Sequence, residues 1–271
     1  MQTKVIDFSK YSSFKIGPSK KVLLLDTKTS IQEISGAYLI GACNNVLISN
    51  NPPLLMMLSK EFDYIKIQDD RLHIGAATPS GRIASYCKKN NIANFEFLSH
   101  LPGKLGGLLF MNAGLKEYEI FNHLHTIKLL SGEYKKDEIH YGYRFTNIQE
   151  AILGASFELA YGFDKTKLAM FKQMRNNQPS TPSAGSCFKN PPNDYAGRLI
   201  EAVGLKGVMQ GDMCFSKKHA NFLVNTKKGK FEDALSLIQE AQKRVFEEFG
   251  ISLELEIKIL DQEYMSQNSS Y

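Results

Sequence analysis

Residues 231–260 constrain the fold most. Phe231, Leu235, Ile238, Val245 and Phe249 fall on one stripe of a helix predicted over Phe231 to Phe249. Gly250 stands where such a helix needs a left-handed stop. From Ile251 to Leu260 the period changes to two, with Ile251, Leu253, Leu255, Ile257 and Ile259 on one face. Ser252, Glu254, Glu256 and Lys258 occupy the other face. A one-sided helix followed directly by a one-sided strand leaves two apolar surfaces, and each needs a partner elsewhere in the chain.

The rest of the chain offers partners. Lys21 to Asp26, Tyr38 to Ile40, Val46 to Ile48 and Ala151 to Tyr161 read as strands. Ser30 and Glu33 have capping-box spacing ahead of a short helix. Hairpins are expected around Gln68-Asp69-Asp70-Arg71, whose turn is not of the Asn-Gly type, and around Ser131-Gly132-Glu133, with His125 to Leu130 and Tyr134 to Tyr141 as the second hairpin's arms. Pro79 to Lys89 is predicted helical with Thr78 as its cap, and Lys165 to Arg175 and Tyr195 to Val203 are further helices. Asn221 to Asn225 reads as one more strand. The polar, proline-containing stretch from Asn176 to Ser183 is the candidate linker.

Composition narrows the class. The 271 residues carry 33 Lys plus Arg against 28 Asp plus Glu, a formal charge of +5, with 43% hydrophobic residues. That apolar share excludes disorder as the main state. Lysine pairs are scattered rather than clustered, which disfavours nucleic acid as a partner. No apolar run approaches the roughly 18 to 20 residues that span a bilayer. Met1 to Asp7 has no apolar core of the secretory kind, so a cytoplasmic chain with Cys43, Cys87, Cys187 and Cys214 as free thiols is expected. No metal is expected: His123-Leu124-His125 lacks further ligands, and exposed strand histidines are the plain reading.

No Gly-x-Gly pair and no P-loop pattern occurs, so a dinucleotide would need a different cradle. Two glycine-bearing loops could let backbone amides approach a pyrophosphate. One runs from Gly41 to Asn45; the other runs from Pro102 through Gly106-Gly107 to Met111-Asn112-Ala113-Gly114. Taken alone, each reads first as a turn and only second as a cofactor cradle. Ser186, among small residues ahead of Asn190-Pro191, sits where a tight turn could present its hydroxyl, although serines in such places ordinarily only form the turn. Cys187, beside Phe188, would have its thiol raised by burial. Arg144, among Tyr143 and Phe145, reads as a stacking arginine, and Glu254 and Glu256 as a solvated edge.

Taken in order, these pieces resemble the UDP-N-acetylenolpyruvoylglucosamine reductase (MurB) family from about Ser12 to about Leu260. Gly185-Ser186-Cys187-Phe188-Lys189-Asn190-Pro191 is the most specific match. It is followed by Ala196 to Glu201, Gly204 to Gly207 and Lys218 to Asn225. Upstream, Leu101 to Gly107, Met111 to Gly114 and Tyr143-Arg144 match, and Leu253 to Ile257 matches the closing strand. The chain departs from the family pattern at Ile40 to Asn44, where Gly-Gly-Gly-Ser-Asn is usual, at Pro18, at Leu115-Lys116 and at Thr146. The short segment from Arg144 to Ser186 resembles the family's compact form, without the tyrosine-bearing substrate loop.

The resemblance implies an α+β fold in which residues 1–55 and 56–175 form two lobes of a vanillyl-alcohol-oxidase-like FAD-binding region. Residues 176–250 would form a substrate domain, and 251–271 a strand returning to the active site plus a tail. It implies FAD, NADPH as hydride donor, and reduction of UDP-N-acetylglucosamine enolpyruvate to UDP-N-acetylmuramate for peptidoglycan, by a cytoplasmic enzyme expected to be a monomer. Arg144 would hold the substrate carboxylate, Glu256 would stabilise the enolate as a neutral acid of raised pKa, and Ser186 would deliver the proton. Gly41, Ala42, Cys43, Asn44, Asn45, Pro102, Gly103, Gly106, Gly107, Asn112, Ala113 and Gly114 would line FAD. Tyr143, Lys189, Asn190 and His219 would face the substrate, with Arg175 added as a phosphate partner on its chemistry alone. A different flavin oxidoreductase on the same scaffold, or a flavin- or UDP-sugar-binding module without turnover, are the competing readings.

Overall fold

The computed structural model describes residues 2–29, 34 and 36–268. The helix expected from Ser30 and Glu33 lies outside the described residues. The chain forms two units, one of residues 1–4, 22–42 and 55–176, the other of 5–21, 43–54 and 177–271. Residues 1–55 are thus shared between the units, and the chain passes from the first to the second at Asn176–Asn177.

The first unit is built on a five-stranded antiparallel sheet. Its order is Glu133–Lys135, Leu124–Leu129, Ile152–Glu158, Arg71–Gly75, Ile65–Gln68. Alternation decides the faces: Leu72 and Ile74 are fully buried while Arg71 and His73 stay half-exposed. The covered face packs on the helix Ser80–Lys89 through Ile83, Ala84 and Cys87, and the Phe95 ring meets Phe157 edge-on at 5.3 Å. Asp69 and Asp70 form the first hairpin turn with φ of 50° and 52°. This is the primed geometry that right-handed strand twist favours, reached without glycine because short acidic side chains tolerate it.

Two expectations change here. Pro79, not Thr78, is the cap residue of Ser80–Lys89, and no side chain caps that end. The Thr78 hydroxyl donates instead to the Tyr64 carbonyl at 3.1 Å. The second arm of the Ser131–Glu133 hairpin stops after Lys135, and Tyr141–Gly142 pairs separately with Phe145–Thr146. A smaller parallel group completes this unit, with Leu23 opposite Met56 and Tyr38 opposite Leu55.

The second unit is organised by the helix Phe231–Phe249, ended by Gly250 at φ 67°. Its buried seam is Phe231, Ala234, Leu237, Ile238, Ala241 and Val245. Leu235 is half-buried, and Phe249, expected on the stripe, is 37% exposed. Alanines carry part of the seam because they allow close approach, so a stripe read from large apolar residues alone was displaced. Against the seam lie the antiparallel strands Met209–Gln210, Met213–Phe215 and Leu223–Asn225, and the helix Ala196–Ala202.

The final segment is a strand only at Lys258–Leu260, which pairs in parallel with Val46–Ile48. Ahead of it the alternation of burial persists, with Leu253 and Ile257 buried, but the backbone pairs with an irregular segment. Lys189 N–H donates to Glu254 O at 2.8 Å, and Glu256 N–H donates to Cys187 O at 2.9 Å. The periodicity reported which side is covered; it did not report the partner. All four cysteines are buried free thiols. No described helix is long and apolar enough to cross a membrane.

Candidate functional site

The chemistry-bearing residues fall into one set in each unit, and each set is fixed by a buried asparagine. In the first unit the hairpin of Tyr141–Gly142 and Phe145–Thr146 turns through Tyr143 and Arg144. Arg144 is held at φ 55°. A bulky side chain in that region costs roughly 1–2 kcal/mol and persists only where its surroundings enforce it.

The surroundings are explicit. The Arg144 guanidinium donates to Gly114 O at 2.9 Å and to Asn112 O at 3.4 Å, lies 4.0 Å from the Glu119 carboxylate, and rests over the Tyr143 ring at 5.0 Å. Only 15% of the Arg144 side chain is exposed. Asn112, at 0% exposure, ties the region together. Its amide donates to Glu119 Oε2 at 2.8 Å and to Gly142 O at 3.1 Å, and its oxygen accepts from Phe121 N–H at 3.3 Å.

The 102–114 loop divides by role. Gly106 N–H donates to Ala76 O at 2.9 Å, and a Cβ at Gly106 would lie 3.2 Å from the Ala76 Cβ. Gly114 could carry no Cβ at all, since Tyr118 O would be 2.3 Å away. Ala113 is buried and bonded to Leu108 and Ile120. These positions, and the Asn112 side chain, serve close packing within the protein. Gly107 faces open space and a Cβ at Gly41 would lie 3.9 Å from the Lys104 Cβ, while Pro102 is exposed and Gly103, at φ 151°, is half-buried. Arg175 closes the helix Lys165–Met174, half-buried, with its pKa lowered by burial.

In the second unit Ser186 follows Gly185, whose φ is 81°. The two residues after Ser186 are clamped by Asn221, itself 3% exposed. Cys187 N–H donates to Asn221 O at 2.7 Å, Phe188 N–H to Asn221 Oδ1 at 3.0 Å, and Asn221 Nδ2 to Phe188 O at 2.8 Å. Complete burial pushes the Cys187 thiol well above its usual range, which leaves it a poor nucleophile.

Glu256 enters through its own backbone bond to Cys187 and through Asn45, whose side chain donates to Glu256 O at 2.9 Å. Asn45 O also accepts from Lys258 N–H at 2.9 Å. Asn45 therefore helps to place Glu256, a role its position in a glycine-type loop did not suggest. Its neighbours are likewise engaged: Cys43 is buried at φ 52°, Cys43 O accepts from Ser13 N–H at 3.1 Å, and Asn44 Oδ1 accepts from the Ser13 hydroxyl. The boundary between units falls between Ala42 and Cys43.

Lys189 pairs with Glu254, and Asn190 Oδ1 accepts from Ala196 N–H at 3.1 Å, starting the helix Ala196–Ala202. His219 packs its ring on Phe222 at 4.9 Å and accepts from Asn221 N–H at 3.3 Å through Nδ1. A Cβ at Gly197 would lie 3.4 Å from the His219 ring, so the helix must be slim there. Burial holds the His219 imidazole below its ordinary pKa. Sequence reasoning missed Asn221, Glu119 and the clamping role of Asn112. A lone asparagine beside a strand reads as a turn former, and no local pattern separates the two uses. Among the described residues no group of three or more His, Cys, Asp or Glu could hold a metal.

These features define an α+β protein of two units, the first on a five-stranded antiparallel sheet and the second on a long helix packed against a small sheet. A crystal structure of UDP-N-acetylenolpyruvylglucosamine reductase (MurB) from Thermus caldophilus matches with a TM-score of 0.83 at 26% identity, covering 96% of this chain and 99% of that one. The family model of the UDP-N-acetylenolpyruvoylglucosamine reductase C-terminal domain matches residues 177–260. The reductase of Helicobacter hepaticus is 49% identical over 262 residues, 96% of this chain and 100% of that protein. That of Campylobacter jejuni (strain RM1221) is 49% identical over 261 residues, 94% of this chain and 100% of its own length. The chain belongs to the UDP-N-acetylenolpyruvoylglucosamine reductase family.

Proposed function

We propose that this chain reduces the enolpyruvyl group of UDP-N-acetylglucosamine enolpyruvate to UDP-N-acetylmuramate, a peptidoglycan precursor, in the cytoplasm, with FAD as bound cofactor and NADPH as hydride source. The open space beside Gly107 fits a cofactor whose diphosphate approaches backbone, and Gly107 is assigned to it together with Gly41, where an added Cβ would make only ordinary contact with the Lys104 Cβ. Pro102, Gly103 and Ala42 border the same assignment, whereas Gly106, Asn112, Ala113 and Gly114 shape the loop from behind. FAD, when bound, supplies the hydride that reaches the terminal vinyl carbon.

The chain's own residues handle charge and proton. Hydride addition leaves negative charge on the neighbouring carbon and the substrate carboxylate. Arg144 holds that carboxylate through its planar, permanently charged fork, already oriented by Gly114 O and the Tyr143 ring. Glu256, as a neutral acid, hydrogen-bonds the developing enolate, because an ionised one would repel it. Ser186 delivers the proton to the carbanionic carbon, an acceptor basic enough to take it from a hydroxyl. Lys189, Asn190, His219 and Tyr143 are assigned to the rest of the substrate, and Arg175 to a phosphate.

The observation that supports this reading is the backbone bond from Glu256 N–H to Cys187 O, which holds Glu256 against the segment that carries Ser186. The test is anaerobic stopped-flow on the Ser186→Ala variant. Flavin reduction by NADPH is expected to remain near wild type, while reoxidation by the enolpyruvyl sugar slows about 10²-fold or more, the scale of a lost positioned acid. Equal slowing of both half-reactions overturns the assignment.

A further inference from the structure

A proton donor is effective only when its oxygen is held within a fraction of an ångström of the productive position, so whatever fixes the Ser186 backbone shares in the reaction. On the upstream side stands Gly185, at φ 81° and with nothing within 4 Å of where a Cβ would be, so that position contributes no side-chain packing of its own. On the downstream side a single residue makes three hydrogen bonds with main-chain groups of the next two residues, two accepted and one donated. The Asn221 carboxamide exchanges both a donor and an acceptor with Phe188, as a neighbouring strand would, while the Asn221 main-chain carbonyl accepts from Cys187 N–H. Asn221 is itself braced by its N–H bond to His219 Nδ1 and is 3% exposed. The Cys187 peptide that it holds also receives Glu256 N–H.

We propose that Asn221 is a positioning residue for proton delivery: its side chain acts as a substitute strand that locks both main-chain groups of Phe188, next to the Cys187 bond to its main-chain carbonyl, and thereby aims the Ser186 hydroxyl. The chemistry is specific. Aspartate of the same shape retains the acceptor for Phe188 N–H but loses the donor, alanine loses both, and glutamine is too long for the paired geometry. The inference rests on the reading of Ser186 as proton donor.

The test compares Asn221→Ala, Asn221→Asp, Ser186→Ala and the Ser186→Ala/Asn221→Ala double variant in anaerobic half-reactions of the flavin-loaded enzyme. Asn221→Ala is expected to be reduced by NADPH at the wild-type rate, which also reports intact folding. Its reoxidation by the enolpyruvyl sugar is expected to slow about tenfold or more, since a 1 Å misplacement can cost about 10²-fold. Asn221→Asp is expected to show the same split with a smaller factor. Because Asn221 acts through Ser186, the double variant should lie within about twofold of Ser186→Ala.

If the Asn221 factor multiplies the Ser186 factor, or if both Asn221 variants lose reduction and reoxidation together, Asn221 is a structural residue only and the proposal falls. If Ser186→Ala itself reoxidises normally, it is the proton-donor reading that has failed, and the positioning role fails with it.

Discussion

The segment around Arg144 and the segment around Ser186 solve one problem in opposite ways. At Arg144 the guanidinium itself is tied down, bonded to Gly114 O and resting on Tyr143, on a backbone bent into the left-handed region. At Ser186 the backbone is tied down through Asn221, and the hydroxyl makes no hydrogen bond to any described residue. A permanently charged fork needs orientation, because its charge and its bonds point in a plane. A hydroxyl rotates freely, so only its attachment point needs fixing. Both regions use a buried asparagine, yet Asn112 bridges separate segments whereas Asn221 grips one residue twice.

Breaking the Arg144 side of this contrast should have the largest effect. Arg144→Lys keeps the charge and loses the fork, and kcat/KM for the enolpyruvyl sugar is expected to fall about 10-fold to 10²-fold, the worth of a charge-assisted bond. A fall below threefold would mean that charge alone matters there. Next, Asn112→Ala strands Gly142 O and Phe121 N–H in the interior, and urea unfolding should show a loss of about 1–3 kcal/mol. An unchanged midpoint would deny Asn112 its role as a clamp.

On the Ser186 side, Glu256→Gln should be milder than Glu256→Ala in the reoxidation step, because an amide still donates. Equal losses would count against a neutral acid.

The smallest effect is expected from His219, which braces Asn221. Its folded pKa is lowered by burial, so the unfolded chain takes up the proton first as pH falls. The stability it contributes is present above the unfolded pKa of about 6.5 and is lost as pH drops through the lower folded value. Thermal melts of His219→Gln between about pH 7 and 5 should therefore be flatter than those of the wild type around that pKa. Parallel curves would place the titration elsewhere.

How much of this was legible beforehand depends on the kind of signal. The helix Phe231–Phe249 and its Gly250 stop were read correctly, because helix period and left-handed termination are local properties. Its seam was misplaced where Ala234 and Ala241 replace larger residues, since small side chains carry little hydrophobic signal yet permit the closest packing. The alternation from Ile251 to Leu260 told which side is covered at Leu253 and Ile257, but not that only Lys258–Leu260 pairs as a strand. Ser186, Arg144 and Glu256 were marked in the sequence by their ordered resemblance to a family. Asn221, Asn112 and Asn45 were not marked by what they hold, because a carboxamide that replaces a strand looks no different from one that makes a turn.

What the chain alone determined is what neighbours along it can enforce: helix and strand periods, the stop at Gly250, and the order of family motifs from Ser12 to Leu260. What only the tertiary structure decided is partnership over long separations, as when Asn45 reaches Glu256 and Val46–Ile48 pairs with Lys258–Leu260. The physical reason is that a main-chain N–H or C=O carries no residue-specific label. Its partner is chosen by which buried groups would otherwise go unsatisfied, and that choice exists only once the chain has folded.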